Sequence, residues 1–184
     1  MRKIIATVFL GLMLSSSLFA ENYSTGKKFI GVEVGAAELQ GGVYMDLNDP
    51  FSYDQFYRGS DVTFGLRVGA QNDNYRTMLL FDYYDNTDED QNLELGLISI
   101  DYYIISSEAG SVTIKPFIGI NVGYASYEST LVEESDFVYG GQAGVVVNVS
   151  EKIDVDLSYR YSLTYESFNL DHFGVIMLGL NYLY

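Results

Sequence analysis

The feature that most constrains this chain is an alternation of apolar with polar or small residues that recurs in eight segments. Successive side chains of a β-strand point to opposite faces, so a period of two residues indicates strands. In the clearest segment, Ile153, Val155 and Leu157 alternate with Asp154 and Asp156. Across the segments, the charged face is also the glycine-rich face. A soluble lipocalin-type barrel is apolar inside, whereas a barrel surrounded by lipid with a narrow, partly polar interior requires this arrangement.

The number and spacing of the segments predict a closed sheet. An even number of strands brings both chain ends to one side and leaves no strand edge facing lipid. The 17 tyrosines, 11 phenylalanines and only two prolines also favour strands. We therefore predict an all-β fold, an eight-stranded antiparallel up-and-down transmembrane β-barrel. The predicted strands lie at about 29–37, 62–70, 75–84, 93–102, 112–124, 139–149, 153–163 and 175–184, with long connections at 39–59, 85–91, 126–136 and 165–171 and shorter ones at 71–74, 105–111 and 150–152.

The fourth segment changes its phase. Leu93, Leu95 and Leu97 form an apolar face at odd-numbered positions, but from Ile98 onward the apolar residues occupy even-numbered positions. A single extra residue in a strand reverses the faces in this way, so the sequence predicts a β-bulge here. This phase places Glu94 inside the barrel.

The N-terminal segment has the layout of a secretory signal. A basic start at Arg2 and Lys3 precedes the apolar run Ile4–Leu14, and small residues follow up to Ala20. The run is too short to cross a bilayer as a helix, although a retained helical anchor is the alternative. We expect a cleaved signal at residues 1–20 and one barrel domain at 21–184. Without cysteine, the chain forms no disulfide.

The formal net charge of −15 argues against nucleic acid, whose phosphates require a basic face. Most carboxylates fall in the long connections. Carboxylate clusters can bind calcium. A calcium-binding loop that starts at Asp85 would need glycine at position 90 and glutamate at position 96, but these positions hold Asp90 and Gly96. We therefore expect solvated loops, no metal and no cofactor. The acidic loop residues are Asp46, Asp49, Asp54, Asp61, Asp85, Asp88, Glu89, Asp90, Glu133, Glu134 and Asp136.

Charges of both signs fall on the predicted inward faces and must find partners there. Two alternatives are open: a packed network of ion pairs and hydrogen bonds that plugs the lumen, or a narrow gated ion path through rearranging pairs. Eight strands leave room for little beyond side chains, which favours the plug. The predicted lumen charge network consists of Glu33, Arg67, Arg76, Asp82, Glu94, Lys115, Asp154, Asp156 and Arg160.

Two stretches resemble the outer-membrane protein β-barrel domain family, which includes small porin-like and OmpA-transmembrane-like barrels. Lys115–Tyr124, read KPFIGINVGY, resembles a strand of many such proteins. The alternation Leu178, Leu180, Tyr182, Tyr184 resembles the C-terminal signal by which such barrels are recognised for assembly, with tyrosine replacing the commoner phenylalanine. The resemblance implies the outer membrane of a Gram-negative bacterium. It also implies four partners: membrane lipid, lipopolysaccharide, the barrel assembly machinery and periplasmic chaperones.

An enzymatic function has little support. Eight-stranded lipid-A deacylases carry histidine and serine two positions apart, but the only histidine, His172, is followed by Phe173 and Gly174. We predict a non-enzymatic outer-membrane protein that anchors acidic extracellular loops for envelope integrity or surface interaction. Phe51, Tyr53, Phe56 and Tyr57 in the first loop offer a contact surface for a host or surface ligand. The alternatives are a small passive or gated pore and, more remotely, a lipid-A-modifying enzyme.

Overall fold

The protein forms a single sheet whose alternating sequence pattern is realised as nine strands. The computed structural model describes residues 26–43, 55–86, 91–110, 112–128, 133–165 and 172–184. The expected signal at 1–20 lies outside these residues. So do most of the acidic loop positions. The strands are β1 Lys27–Val43, β2 Gln55–Gln71, β3 Tyr75–Asn86, β4 Gln91–Tyr103, β5 Ser107–Ala109, β6 Val112–Glu128, β7 Glu133–Ser150, β8 Ile153–Thr164 and β9 His172–Leu183.

The sheet closes on itself as an antiparallel barrel. Consecutive long strands pair with each other, β4 pairs with β6 across the short β5, and β1 pairs with β9. The short β5 pairs only with the first residues of β6 and extends their hairpin. The barrel thus has eight strands in up-and-down order, which confirms the predicted fold class.

Both described chain ends lie at one end of the barrel, which we call the termini end. There Lys28 and Tyr184 exchange two backbone hydrogen bonds, of 3.1 and 2.9 Å. The same end carries the tight β2–β3 turn, where Asn72 Oδ1 accepts hydrogen bonds from the backbone amides of Asn74 and Tyr75. The opposite end, where β1, β3, β6 and β8 finish, is the loop end.

The hairpins at the loop end are longer than the alternation predicts. β1 and β2 stay paired up to Val43 and Gln55, and β6 and β7 stay paired up to Glu128 and Glu133. These residues fall in segments predicted as connections. Their pairing is supplied by backbone hydrogen bonds, which require no alternation of hydropathy, so the sequence pattern gives no sign of them.

The outward face of the barrel is apolar along its strands. Phe64, Leu66 and Ile120 are 62%, 63% and 65% exposed, although they are among the most hydrophobic residues of the chain. Seven tyrosines also lie on this face: Tyr75, Tyr83, Tyr124, Tyr139, Tyr161, Tyr182 and Tyr184. Contiguous apolar surface of this extent is typical of a face covered by another medium or molecule.

The predicted bulge in β4 is wrong. The pairing of β4 with β3 runs without a register shift from Gln91 to Tyr102, and the buried side chains stay at odd-numbered positions throughout. Leu93, Leu95 and Leu97 therefore face the interior. The apparent change of phase arises because this strand carries apolar residues on both faces. A register shift occurs instead in β7, between Asn148 and Ser150.

Candidate functional site: the barrel lumen

The middle of the lumen contains a cluster of buried charged side chains. Arg67 lies at its centre. Its guanidinium donates to Glu33 Oε2 at 3.1 Å and to both oxygens of Asp156, at 3.1 and 2.5 Å. All three residues are at most 3% exposed. Because they come from β1, β2 and β8, this group links strands from opposite parts of the sequence.

A second guanidinium, from β3, extends the cluster. Arg76 donates to Asp101 Oδ2 at 2.9 Å and to Asp156 Oδ2 at 3.1 Å, and its guanidinium carbon lies 4.7 Å from the centre of the Phe117 ring. Asp101 is fully buried. The sequence placed Asp101 on an inward face but did not include it in the network.

A third guanidinium, from β8, adds Asp82 to the cluster and makes a second connection within it. Arg160 donates to Glu33 Oε1 at 3.1 Å, to Gln142 Oε1 at 3.1 Å and to Asp82. Gln142 Nε2 in turn donates to Asp101 at 2.6 Å. Arg67, Arg76 and Arg160 thus hold four carboxylates in one continuous set, and each guanidinium serves several acceptors. We call these seven charged residues the charge network: Glu33, Arg67, Arg76, Asp82, Asp101, Asp156 and Arg160.

Glycines make room for the charge network. A Cβ atom at Gly179 would overlap the guanidinium of Arg67, and one at Gly119 would overlap the carboxylate of Asp101. At Gly65, a Cβ atom would lie 2.8 Å from Cγ of Glu33. The charged face is therefore glycine-rich because long polar side chains lie across the neighbouring strands.

Three residues of the predicted network lie elsewhere. Glu94 faces outward, because the unbroken phase of β4 directs even-numbered residues away from the lumen. Lys115 lies at the termini end, with Nζ 5.2 Å from the centre of the Tyr103 ring and 4.0 Å from Asp73 Oδ1. Asp154 is buried near the same end and forms no ion pair among the described residues.

A polar cavity of about 540 Å³ opens at the termini end. We call it the vestibule. Its inner wall includes Gln71 and Asp154, where Gln71 Nε2 donates to Asp154 at 2.5 Å, and the hydroxyl of the buried Tyr103 donates to Gln71 Oε1 at 2.7 Å from behind this wall. Asn148 Nδ2 donates to the other oxygen of Asp154. Its other lining residues are Lys27, Asn72, Asp73, Thr113, Lys115, Ser150, Glu151 and Leu183.

The loop end of the lumen is apolar instead. Six of the barrel strands each direct one buried side chain inward near this end, and all belong to one contiguous cluster. Cross-strand pairing sets Tyr84 opposite Leu93. Leu95 and Val175 lie one inward position deeper. We call the six residues the apolar ring: Ala37, Tyr84, Leu93, Ala125, Val138 and Phe173, all at most 4% exposed.

His172 lies beside an aromatic ring. His172 lies on the outward face at the start of β9, with its ring centre 5.3 Å from that of Tyr161. Its cross-strand neighbours are Gln40 and Leu163. In the part of the chain that the structure describes, no cluster of histidine, aspartate or glutamate is arranged to hold a metal ion. No helix among those residues is long and apolar enough to cross a membrane.

The predicted assembly signal lies on the outer surface of β9. Leu178, Leu180, Tyr182 and Tyr184 are half-exposed or more and alternate with buried Met177, Gly179 and Asn181. Their recognition during assembly stays a prediction.

Comparison with known proteins identifies the fold. No protein-family model and no curated protein sequence matches the chain. Among solved structures, it is similar to outer membrane protein OprG from Pseudomonas aeruginosa, with 11% identity, 87% of this chain and 97% of that chain covered, and a TM-score of 0.58.

Two further structures agree. Outer membrane protein H from P. aeruginosa shows 20% identity, coverage of 86% of this chain and 99% of that chain, and a TM-score of 0.56. Neisserial surface protein A shows 14% identity, coverage of 83% and 96%, and a TM-score of 0.54. The chain therefore has the fold of small eight-stranded outer-membrane β-barrels, as the resemblance in its sequence implied.

Proposed function

We propose that this chain is an integral outer-membrane protein of a Gram-negative bacterium, without enzymatic activity, whose closed barrel anchors acidic segments at the cell surface. The observation that carries the proposal is the distribution of polarity. The face that meets the surroundings is apolar, whereas the members of the charge network are enclosed and form ion pairs with one another. Such a cylinder is stable in a bilayer, where lipid covers the apolar face and no backbone edge is left unpaired.

The orientation follows from the fold. Small outer-membrane barrels place their chain ends and short turns in the periplasm and their longer loops outside. The termini end is then periplasmic, and the loop end is extracellular. The acidic loop segments would face the medium, with lipid and lipopolysaccharide around the barrel. The assembly machinery and periplasmic chaperones would handle the chain on its way there.

A filled lumen supports an anchor rather than a channel. The charge network and the apolar ring together occupy the interior from its middle to the loop end. The vestibule is the observation that favours a gated pore as the second candidate, because it already gives water a path part of the way into the barrel.

Gel mobility tests the membrane barrel itself. Protein extracted from membranes with a mild detergent should migrate differently before and after boiling, because a closed barrel resists the detergent until it is heated. A mature chain that is monomeric and freely soluble without surfactant would contradict the proposal.

Conductance distinguishes anchor from pore. Purified wild-type protein in planar lipid bilayers should show no discrete current steps. Reproducible steps that disappear on substitution of Arg67 or Glu33 would favour the pore. A lipid-A-modifying enzyme would instead change the acyl chains of lipid A in a manner that depends on His172.

The surface-interaction role requires a separate test. Deletion of residues 43–57 should abolish adhesion of cells to a surface or host ligand, while the heat-dependent gel shift of the barrel persists. Unchanged adhesion in that variant would leave envelope integrity as the remaining role of the anchor.

A further inference from the structure

Three groups of side chains follow one another along the axis of the lumen. The vestibule opens at the termini end, the charge network lies in the middle beside apolar side chains such as Met78 and Met177, and the apolar ring lies at the loop end. We infer that the apolar ring is the seal that keeps water from crossing the lumen, and that the charge network holds the strands together without closing it. This inference rests on the proposed function, since it locates the closure that an anchor requires.

The charge network is a poor water barrier by its chemistry. Its members are donors and acceptors that exchange protein partners for water at low cost. Arg67 Nε and Asp82 Oδ1 are buried and have no hydrogen-bond partner among the residues that the structure describes. Such atoms are sites where water binds once it arrives.

The vestibule brings water close to the charge network. The vestibule reaches Asp154, which lies two positions from Asp156 on the inward face of β8. Tyr103, which is buried behind the vestibule and donates to its lining residue Gln71, stands in the same relation to Asp101 on β4. Hence β8 connects the vestibule to the charge network directly, and β4 does so through Tyr103.

The apolar ring has the opposite chemistry. Its side chains offer water few hydrogen-bonding groups, and narrow apolar constrictions exclude water and ions even where they are not completely filled. The ring receives a side chain from β1, β3, β4, β6, β7 and β9. Thr63 of β2 and Ser162 of β8 lie at the same end, but the Thr63 hydroxyl donates to the backbone carbonyl of Tyr83 at 3.1 Å, and the Ser162 hydroxyl donates to Asn121 Oδ1 at 3.0 Å.

Two double variants test this assignment by conductance in planar bilayers. Leu93→Ser with Phe173→Ser replaces two apolar side chains of the ring by smaller, polar ones and so widens its opening. Glu33→Gln with Arg67→Gln removes one charge of each sign from the network, so its net charge is unchanged. The heat-dependent gel shift verifies folding of each, and Leu93→Ala with Phe173→Ala replaces the serine pair if that pair does not fold.

We expect ring variants to show current steps at least about tenfold above the wild-type baseline, and the network variant to stay at that baseline. Steps in the network variant, or silence in the ring variants, would overturn the inference. Either result would leave the anchor function standing as long as the wild type is silent. A wild-type barrel that conducts would overturn both, so the two failures are distinguishable.

Discussion

At the scale of single residues, Gly179 is the position where the absence of a side chain makes room for the guanidinium of Arg67. An added methyl group there would overlap the Arg67 guanidinium and displace it from Glu33 and Asp156. Gly179→Ala should therefore lower the free energy of unfolding by about 3 kcal/mol, measured by urea titration in micelles.

The matched control is Gly141→Ala. Gly141 faces outward, and a Cβ atom there meets only the backbone oxygen of Gly119 at 3.5 Å, an ordinary contact. This variant should unfold at nearly the wild-type urea concentration. Equal losses in both variants would show that glycine is needed for the strand backbone in general and not for the charge network.

Arg160 tests the ion pairs themselves. Its replacement by leucine leaves Asp82 buried without its cation and removes one of two cations from Glu33. Breaking a buried pair from one side costs about 3–5 kcal/mol, so Arg160→Leu should shift the urea midpoint strongly. Glu94→Gln, on the outward face, should change stability by less than about 0.5 kcal/mol. A loss of stability in the Glu94 variant as large as that in the Arg160 variant would show that Glu94 belongs to the charge network.

At the scale of elements, β4 shows what alternation reveals and what it hides. Where one face is apolar and the other charged, as in β8, the pattern determines the phase of every side chain. In β4, Leu93, Leu95 and Leu97 face the lumen and Ile98 and Ile100 face outward, so hydropathy alone indicates the wrong phase before Ser99. Only the pairing with β3 and β6 resolves it, and that pairing depends on residues far apart in the sequence.

The phase of β4 can be measured because the chain has no cysteine. Single cysteines placed in turn from 92 to 102 and modified with a nitroxide should give accessibility to a lipid-soluble relaxation agent that alternates without interruption. Even-numbered positions should be the accessible ones throughout. A reversal between Leu97 and Ile98 would restore the bulge that the sequence suggests.

At the scale of the whole molecule, the sequence predicts the closed barrel, its strand count and most inward charges, because these follow from a period of two residues. It predicts neither the apolar ring nor the true membership of the charge network. Asp101 belongs to that network, and Gln142 bridges Asp101 to Arg160, through contacts between β3, β4, β7 and β8. Such contacts depend on the stagger between strands, which the hydropathy of any one strand does not specify.

Because the barrel is closed, we also expect it to tolerate circular permutation. Because Lys28 and Tyr184 are hydrogen-bonded neighbours, a short glycine-serine linker should join the two ends of the chain without strain. A permutant opened within 129–132 keeps every strand pair of the barrel. After refolding in detergent micelles, it should show the wild-type gel shift, whereas a permutant opened after Gln142 interrupts β7 and should not.

In cells the first permutant should behave differently from the wild type. Its β9 no longer ends the chain, so if the terminal alternation through Tyr182 and Tyr184 directs assembly, the permutant accumulates unfolded in the periplasm although it refolds in vitro. Normal insertion in cells would show that the assembly machinery recognises the closed barrel or another strand instead. Comparing refolding in micelles with insertion in cells thus separates two contributions of β9. One is to the stability of the barrel, through its pairing with β1 and β8, and the other is to assembly into the membrane.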